Sequence, residues 1–449
     1  MRYVDSLNLG GGIECFILIE PGREFIVPVL RERFKDSKII VLHVDNSFSQ
    51  DRLRSDCPQS AATLYGTDVM SVQDFLEKEV PETASRIRII EWRPSLNYYR
   101  EAYVKLLSQV VEFVKRTEAG NRTVSAFGRR WVRNFFKNLG NVQQTLLYKT
   151  MEIPVIVTGS GPSLEKALPV IRKMQEGSLI LAASSSIMAL ANGGVSADIV
   201  IATDGGPWAL RHIYPYFRGK PAAAIAANLC AALPSQCGFA PHLIINDGSF
   251  WQSIVLHELA IPSVIIPQKG TVTAAAVELA MLLSGGNIYL AGMDLSIRDI
   301  RTHARPYGFD HLLFESASRL SPVYSKSFAR SGLIREGGDY SIYASWFRNK
   351  LASWPKRIFS LGGSHDVFES ALFTDTAAKK NTDEYFKIVS VKDDPACFRE
   401  RGAAALLAAM KGGQFAENLK AELTPLLFPG EKEVTQRELE SAITGVSHG

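Results

Sequence analysis

Seven short apolar runs between residues 154 and 292 constrain the fold more than any other feature of this chain. They are PVIVT (154–158), SLILAA (178–183), ADIVIAT (197–203), AAAIAA (222–227), HLIIN (242–246), SVIIP (263–267) and NIYLAG (287–292). Helical patterns such as EKALPVIRKMQ (165–175) and TAAAVELAMLL (273–283) separate several of them. A strand with one wet face alternates apolar and polar residues. These runs do not alternate, so they read as strands buried on both faces. Buried strands separated by helices make a parallel sheet covered on both sides. The expected fold class is α/β, with a central Rossmann-like, doubly wound parallel sheet. In such sheets ligands bind beyond the carboxyl ends of the strands, where the strand order reverses.

The flanking sequence divides around this core. Residues 1–97 read as a smaller α/β domain, with strands in CFILIEP (15–21), KIIVLHV (38–44) and RIRIIEW (86–92). REFIVPVLRERF (23–34) is helical apart from an interruption at Pro28. Residues 98–150 read as connecting helices, from apolar residues at i, i+3, i+4 and i+7 spacing. The second of these is basic on one side and aromatic on the other. Its two readings are a membrane-surface helix and a connecting helix that packs Trp131, Phe135 and Phe136 on the next domain; the latter is preferred because a globular domain follows at once. Residues 151–370 form the nucleotide-binding domain. Its end, 297–370, is rich in His, Tyr and Arg and reads as an active-site lid. Residues 371–449 read as a helical C-terminal region.

The clearest motif is GSGPSL (159–164), between the first core strand and a helix. Gly159 and Gly161 lack a Cβ, so backbone there can approach a phosphate closely. The helix start offers free N–H groups and a positive dipole end. Pro162 suits the first turn, and Ser163 can add a hydroxyl. Tight packing is the alternative reading. A dinucleotide fingerprint requires a third glycine where Leu164 stands, and an acid at the end of the second strand. That strand ends AASSS (182–186), with Ser184 and Ser185, so NAD is disfavoured. No G-K-[ST] follows the glycines, so a P-loop is disfavoured too. Other strand ends carry Asp204 in ATDGGPW (202–208), Asp247 in NDGSF (246–250), Gly270, Thr271 and Thr273 in KGTVT (269–273), and Asp294 in LAGMDLS (290–296). Asp204 can hold a ribose, a base or a metal ion, or can simply cap a turn. Strand ends of a parallel sheet all face one way, so together these turns outline a nucleotide site.

Composition excludes several other classes. The chain has 449 residues, 46% of them hydrophobic and 21% charged, as in an ordinary globular protein. Its formal net charge of +4 is too small to point to nucleic acid. Five cysteines, without a C-x-x-C pair, give neither a disulfide framework nor a zinc site. The eight histidines show no H-x-x-x-H spacing. No basic leader precedes an apolar core at the N-terminus, and no run is long enough to span a membrane. The expected location is the cytoplasm.

The combination of GSGPSL, the strand-end ATD and KGTVTAAAVELAMLLSGGNIYLAGMDLS (269–296) resembles the Maf (motility accessory factor) flagellin glycosyltransferases. The same core is similar to that of MptE-like enzymes (DUF115 type), which pyrophosphorylate 6-hydroxymethyl-dihydropterin. The resemblance covers about 150–300. The N-terminal α/β unit, the WVRNFFKNL helix (131–139) and the helix near 346 also resemble the bacterial Maf arrangement. It implies a cytoplasmic transferase moving a nonulosonic acid, such as pseudaminic or legionaminic acid, from a CMP-activated sugar to Ser or Thr of flagellin. Related sialyltransferase loops commonly have Asn where this chain has Ser160, so a hydroxyl replaces an amide.

In that reading the departing phosphate needs donors, and Ser160, Ser163, Thr271 and Thr273 are candidates. The acceptor hydroxyl needs a general base. His303 is the first choice and His311 the second; the catalytic candidates are His303, Asp294 and Tyr307. Tyr307 and Tyr340 can donate to the phosphate or can be packing residues. Arg298, Arg301 and Arg305 form a basic cluster able to meet a sugar carboxylate, with Arg301 and Arg305 foremost. No permanently bound cofactor or metal is expected. The runner-up activity, pyrophosphoryl transfer from ATP to a pterin, would need Mg²⁺, with Asp204, Asp247 or Asp294 as ligands. A third reading is a nucleotide-binding flagellar accessory protein without catalysis.

Overall fold

The apolar runs become strands, and the strands fall into two sheets. The computed structural model describes every residue except 1, 11, 48–60, 82, 83, 85, 268–270, 296–299, 330–338, 352, 353, 362–364, 371–378, 392, 393, 432, 433 and 449. An N-terminal unit comprises 1–126 and a C-terminal unit 127–449. Among the described residues no helix is long and apolar enough to cross a membrane.

The N-terminal unit is built on β1 (Cys15–Ile19), β2 (Lys38–His43), β3 (Ala62–Tyr65) and β4 (Ile87–Glu91). All are parallel, in the order β3-β2-β1-β4. Only three strands were expected. β3 is a four-residue edge strand, half-buried throughout, and so lacks an apolar signature. Successive residues of β1 point to opposite faces. Cys15, Ile17 and Ile19 pack with Val72 and Leu76 of the helix Val69–Glu79 and with Tyr103 and Leu106 of the helix beginning at Arg100. Phe16 and Leu18 pack with Val27 and Leu30 of the helix Ile26–Arg33. Pro28 leaves that helix intact because it lies in the first turn, where its missing N–H has no intrahelical partner.

At the end of β2, His43 is enclosed between two acids that follow β1. Its Nδ1 lies 2.9 Å from Glu20 Oε1 and its Nε2 3.2 Å from Glu24 Oε1. All three residues are buried. Glu20 also accepts the Val44 N–H at 2.6 Å, and the Tyr65 ring stacks on His43. Burial pushes the imidazolium down, but the hydrogen bonds and charges of Glu20 and Glu24 outweigh it, and the His43 pKa is raised.

The C-terminal unit contains β5 (Gln144–Tyr148), β6 (Val155–Thr158), β7 (Leu179–Ala183), β8 (Ile199–Ala202), β9 (Ala224–Asn228), β10 (His242–Asn246), β11 (Ser263–Ile265), β12 (Ile288–Ala291), β13 (Ile358–Ser360) and β14 (Phe386–Ser390). They form one sheet in the order β13-β12-β6-β7-β8-β9-β10-β5-β14, with β11 also on β10. Every pairing is parallel except β14 with β5. Val155 and Val157 face one core, with the helix Val272–Leu283, while Ile156 faces another, with the helix Ser163–Met174. This is the doubly wound sheet that non-alternating strands require.

Two expectations need correction. Residues 98–150 are not all helical: one helix runs Arg100–Leu139, and β5 follows. Gly140 and Asn141 end the helix, and the Thr-Leu-Leu-Tyr run then pairs at the sheet edge. The C-terminal region is not all helical either, since it supplies β14. Its helices Pro395–Ala409, Gln414–Leu427 and Gln436–His448 share a third core with Phe135, Phe136 and Trp251.

Candidate functional site

The strand order reverses at β6. From β6 the chain moves outward through β7, β8, β9 and β10, then returns as β12 on the other side of β6. The loops after β6 and β12 therefore flank the switch point where ligands bind in such sheets. They also hold each other. Gly159 N–H donates to Ala291 O at 2.8 Å and Gly161 N–H to Gly292 O at 2.7 Å. A Cβ on Gly159 would lie 2.6 Å from Gly292 O, and one on Gly161 would collide with the Asp294 carboxylate. These glycines are needed first for loop-to-loop contact.

The helix start after this loop is not an open row of donors. Ser163 N–H donates to Asp294 Oδ2 at 2.9 Å. Leu164 and Glu165 N–H groups donate to Gly161 O and Pro162 O. The anion seated at this helix end is the chain's own Asp294, a buried residue, so free N–H groups here are a corrected expectation. Pro162 is buried at the cap position, ahead of the first turn. The Ser160 and Ser163 side chains are half-buried. Ser184 is buried and Ser185 half-buried, but it is Ser186 that ties β7 to β6, at 2.8 Å from Thr158 Oγ1.

The segment after β12 is fastened to this loop. Ala304 N–H donates to Ser160 O at 2.7 Å. Arg301 Nη1 lies 3.0 Å from Glu165 Oε2, and Arg305 N–H donates to Glu165 Oε1 at 3.0 Å. Arg305 Nε lies 3.8 Å from Asp310 Oδ1. Both arginines expected to meet a substrate carboxylate thus have acidic partners within the protein. His303 stacks on Tyr307, ring centroids 3.9 Å apart, with its Nδ1 2.7 Å from Thr302 Oγ1. Tyr307 in turn contacts the ring of buried His212 at 4.7 Å.

Tyr307 forms part of a cavity of about 780 Å³. Its walls come from segments that follow strands: Met188 after β7, Arg211 and Tyr214 after β8, Gln236 after β9, and His311 after β12. Lys137 joins them from the long helix. Convergence of these segments follows from the parallel sheet, whose strand ends share one side. Arg211 Nη1 donates to His311 Nε2 at 2.7 Å. Arginine only donates, so Nε2 is the acceptor and His311 carries its proton on Nδ1.

The remaining acids serve turns. Asp204 Oδ1 accepts the Gly206 N–H at 2.7 Å. Asp247 accepts the Ser249 N–H and the Gln252 side chain. Burial, with the Asp247 charge second, keeps the nearby Cys230 thiol well above its ordinary pKa. Among the described residues no three His, Cys, Asp or Glu side chains are grouped to hold a metal ion. Thr271 caps its own helix through Ala274 N–H at 3.0 Å, and Thr273 is half-buried. Gly270, Arg298 and the Tyr340 side chain lie outside the described residues.

Sequence reading missed several contributors. Asn134 and Asn138, one turn apart, donate to carbonyls of the loops after β8 and β9: Gly205, Leu229, Cys230 and Ala231. Their i, i+4 spacing was a legible signal. His365 had none; its Nε2 bonds Met293 O at 2.8 Å and its Nδ1 accepts the Val367 N–H.

Residues 129–299 match the family model described as 6-hydroxymethylpterin diphosphokinase MptE-like. The structure of MAf glycosyltransferase from Magnetospirillum magneticum AMB-1 has the same fold, with a TM-score of 0.54 and 12% identity, over 99% of this chain and 75% of that one. Residues 129–299 are thus similar to the MptE-like family, and the chain shares its fold with the MAf glycosyltransferase. The matched stretch takes in Asn134, Asn138, GSGPSL and Asp294, and stops before the segment 300–311 that walls the cavity. Two uncharacterized proteins of Treponema pallidum (strain Nichols) are also similar. One is 27% identical over 67% of this chain and 66% of its own length. The other is 22% identical over 59% of this chain and 48% of its own length. The chain thus spans just under two thirds of one relative and about half of the other.

Proposed function

We propose that the C-terminal unit is a glycosyltransferase of the Maf type, moving a nonulosonic acid from a CMP-activated sugar to a flagellin Ser or Thr hydroxyl. The observation that carries this reading is the cavity beside the strand ends, one wall of which is bolted through Ala304 and Ser160 to the switch-point loop. That geometry suits a two-part ligand: a nucleotide at the loop and its attached ring in the cavity. The acceptor oxygen attacks the anomeric carbon as the bond from that carbon to the phosphate oxygen breaks. CMP leaves with the bonding electrons, and a base takes the acceptor proton. Donors at the phosphate stabilise the charge that develops there. Ser160 and Ser163 hydroxyls fit that role better than the loop N–H groups, most of which bond within the protein. His303 is the preferred base because Nδ1 is held by Thr302 and its ring lies on a cavity residue. His311 is the second choice, since its Nε2 already accepts from Arg211.

The MptE-like family description favours a second reading, in which ATP with Mg²⁺ donates pyrophosphate to a pterin. Thermal-shift measurements separate the two, because a ligand bound only by the folded state raises its stability. Stabilisation by CMP is the expected result. Stabilisation by ATP with Mg²⁺ but not by CMP defeats the glycosyltransferase reading. Intact-mass analysis of flagellin from a strain lacking the gene tests the acceptor, and an unchanged mass counts against it.

A further inference from the structure

Lys137 and Arg211 are cations in the cavity wall, and among the described residues neither has a carboxylate partner. The acid in the same wall is already committed: Asp310 Oδ2 accepts the Tyr307 N–H at 2.8 Å, and its Oδ1 faces Arg305. The cavity therefore has a positive balance. Arg211 is also held in place. Its guanidinium lies 5.3 Å over the Trp208 ring, and one N–H is fixed on neutral His311. A planar guanidinium has five N–H groups, so others remain for a ligand. Because His311 is uncharged in this bond, Arg211 keeps its full charge for that ligand.

The adjoining wall is closely packed. A Cβ on Gly308 would lie 2.6 Å from His212 Nδ1 and 2.8 Å from Arg211 O, so only glycine lets the segment 306–309 approach the helix Leu210–Arg218. Tyr307 and Phe309 close over His212. The result is an apolar, aromatic surface beside a fixed guanidinium, Arg211, and a second cation, Lys137, the combination expected for an anionic ring. About 780 Å³ accommodates a sugar of that kind with part of its leaving group.

We propose that this cavity binds the carboxylated sugar of the donor, with Arg211 receiving the carboxylate and Lys137 supporting it. The assignment rests on the glycosyltransferase reading above and replaces Arg301 and Arg305, which Glu165 and Asp310 engage. It makes Arg211 a specificity-determining residue.

The test is calorimetric titration of the full chain and of Arg211→Gln and Lys137→Met with four probes: CMP, CMP-N-acetylneuraminic acid, free N-acetylneuraminic acid and its methyl ester. The wild type should bind the free acid more tightly than the uncharged ester. Arg211→Gln should lose roughly tenfold or more in affinity for the acid and for the CMP-sugar, the scale of one charged hydrogen-bonded pair. Its affinity for CMP should stay within about twofold. Lys137, an exposed residue, should give a smaller loss in the same direction without disturbing the fold. Equal binding of acid and ester, or unchanged sugar-acid affinity in both variants, overturns the proposal. So does loss of CMP binding by Arg211→Gln, which would make Arg211 a phosphate contact. Failure of CMP itself to bind the wild type defeats the nucleotide reading, while Arg211-dependent binding of the free acid would still support the cavity assignment.

Discussion

His43 shows how far a single residue can depart from what its neighbours in sequence announce. Glu20 and Glu24 sit beyond a different strand, and only the fold brings them to either side of the imidazole. Because its pKa is raised in the folded state, its stabilising effect is fully present below about pH 6.5 and is lost as pH rises through the folded value. Other titratable groups surround the triad: hydrogen bonds from Ser47, and to a lesser extent the His43 charge, lower the pKa of Asp45, while burial, with the Glu20 charge a smaller contribution, raises that of Tyr103. Urea unfolding from pH 6 to 9 should show wild-type stability falling on the alkaline side. His43→Leu should destabilise by about 3–5 kcal/mol near neutral pH, since it leaves two buried carboxylates without their cation. Parallel pH profiles for the two proteins would rule out the ion triad. At the switch point, Gly161→Ala drives a methyl into Asp294 and Gly292 O. Overpacking of this kind costs about 1–3 kcal/mol, and an unchanged urea midpoint would refute the contact. The sequence marked both glycines, but it could not tell phosphate approach from loop packing. That distinction depends on Gly292 and Asp294, more than 130 residues away.

At the scale of elements, the helix Arg100–Leu139 carries cores of both units. Its amphipathic pattern was legible; the job of its polar face was not. Asn138 is buried and donates to Leu229 O at 2.8 Å and Ala231 O at 2.7 Å, so it holds the loop that leads to the cavity wall. Asn138→Leu leaves two carbonyls without donors and should cost about 2–4 kcal/mol. A denaturation midpoint like that of the wild type would show that the loop holds itself. β5 and β14 mark the opposite case. Both are short, and most of β14 is exposed, so their sequences resemble helical surface as much as strand. Pairing with each other decided their conformation.

At the scale of the whole molecule, each unit has hydrophobic cores of its own. Units with separate cores can unfold separately. Calorimetry should give two transitions, with CMP raising only that of the C-terminal unit and His43→Leu lowering only that of the N-terminal unit. A single transition moved by both changes would contradict this. The sequence by itself determined the α/β class, the doubly wound core and the side of the sheet to which the strand-end turns point. Those follow from non-alternating apolar strands and from turns at their ends, both local in the chain. Only the tertiary structure decided which groups are left for a ligand. Asp294 fills the helix end, Glu165 takes Arg301, and among the described residues Arg211 and Lys137 face the cavity without acids of their own. That sorting depends on which charges meet across long sequence separations, and no local pattern records it.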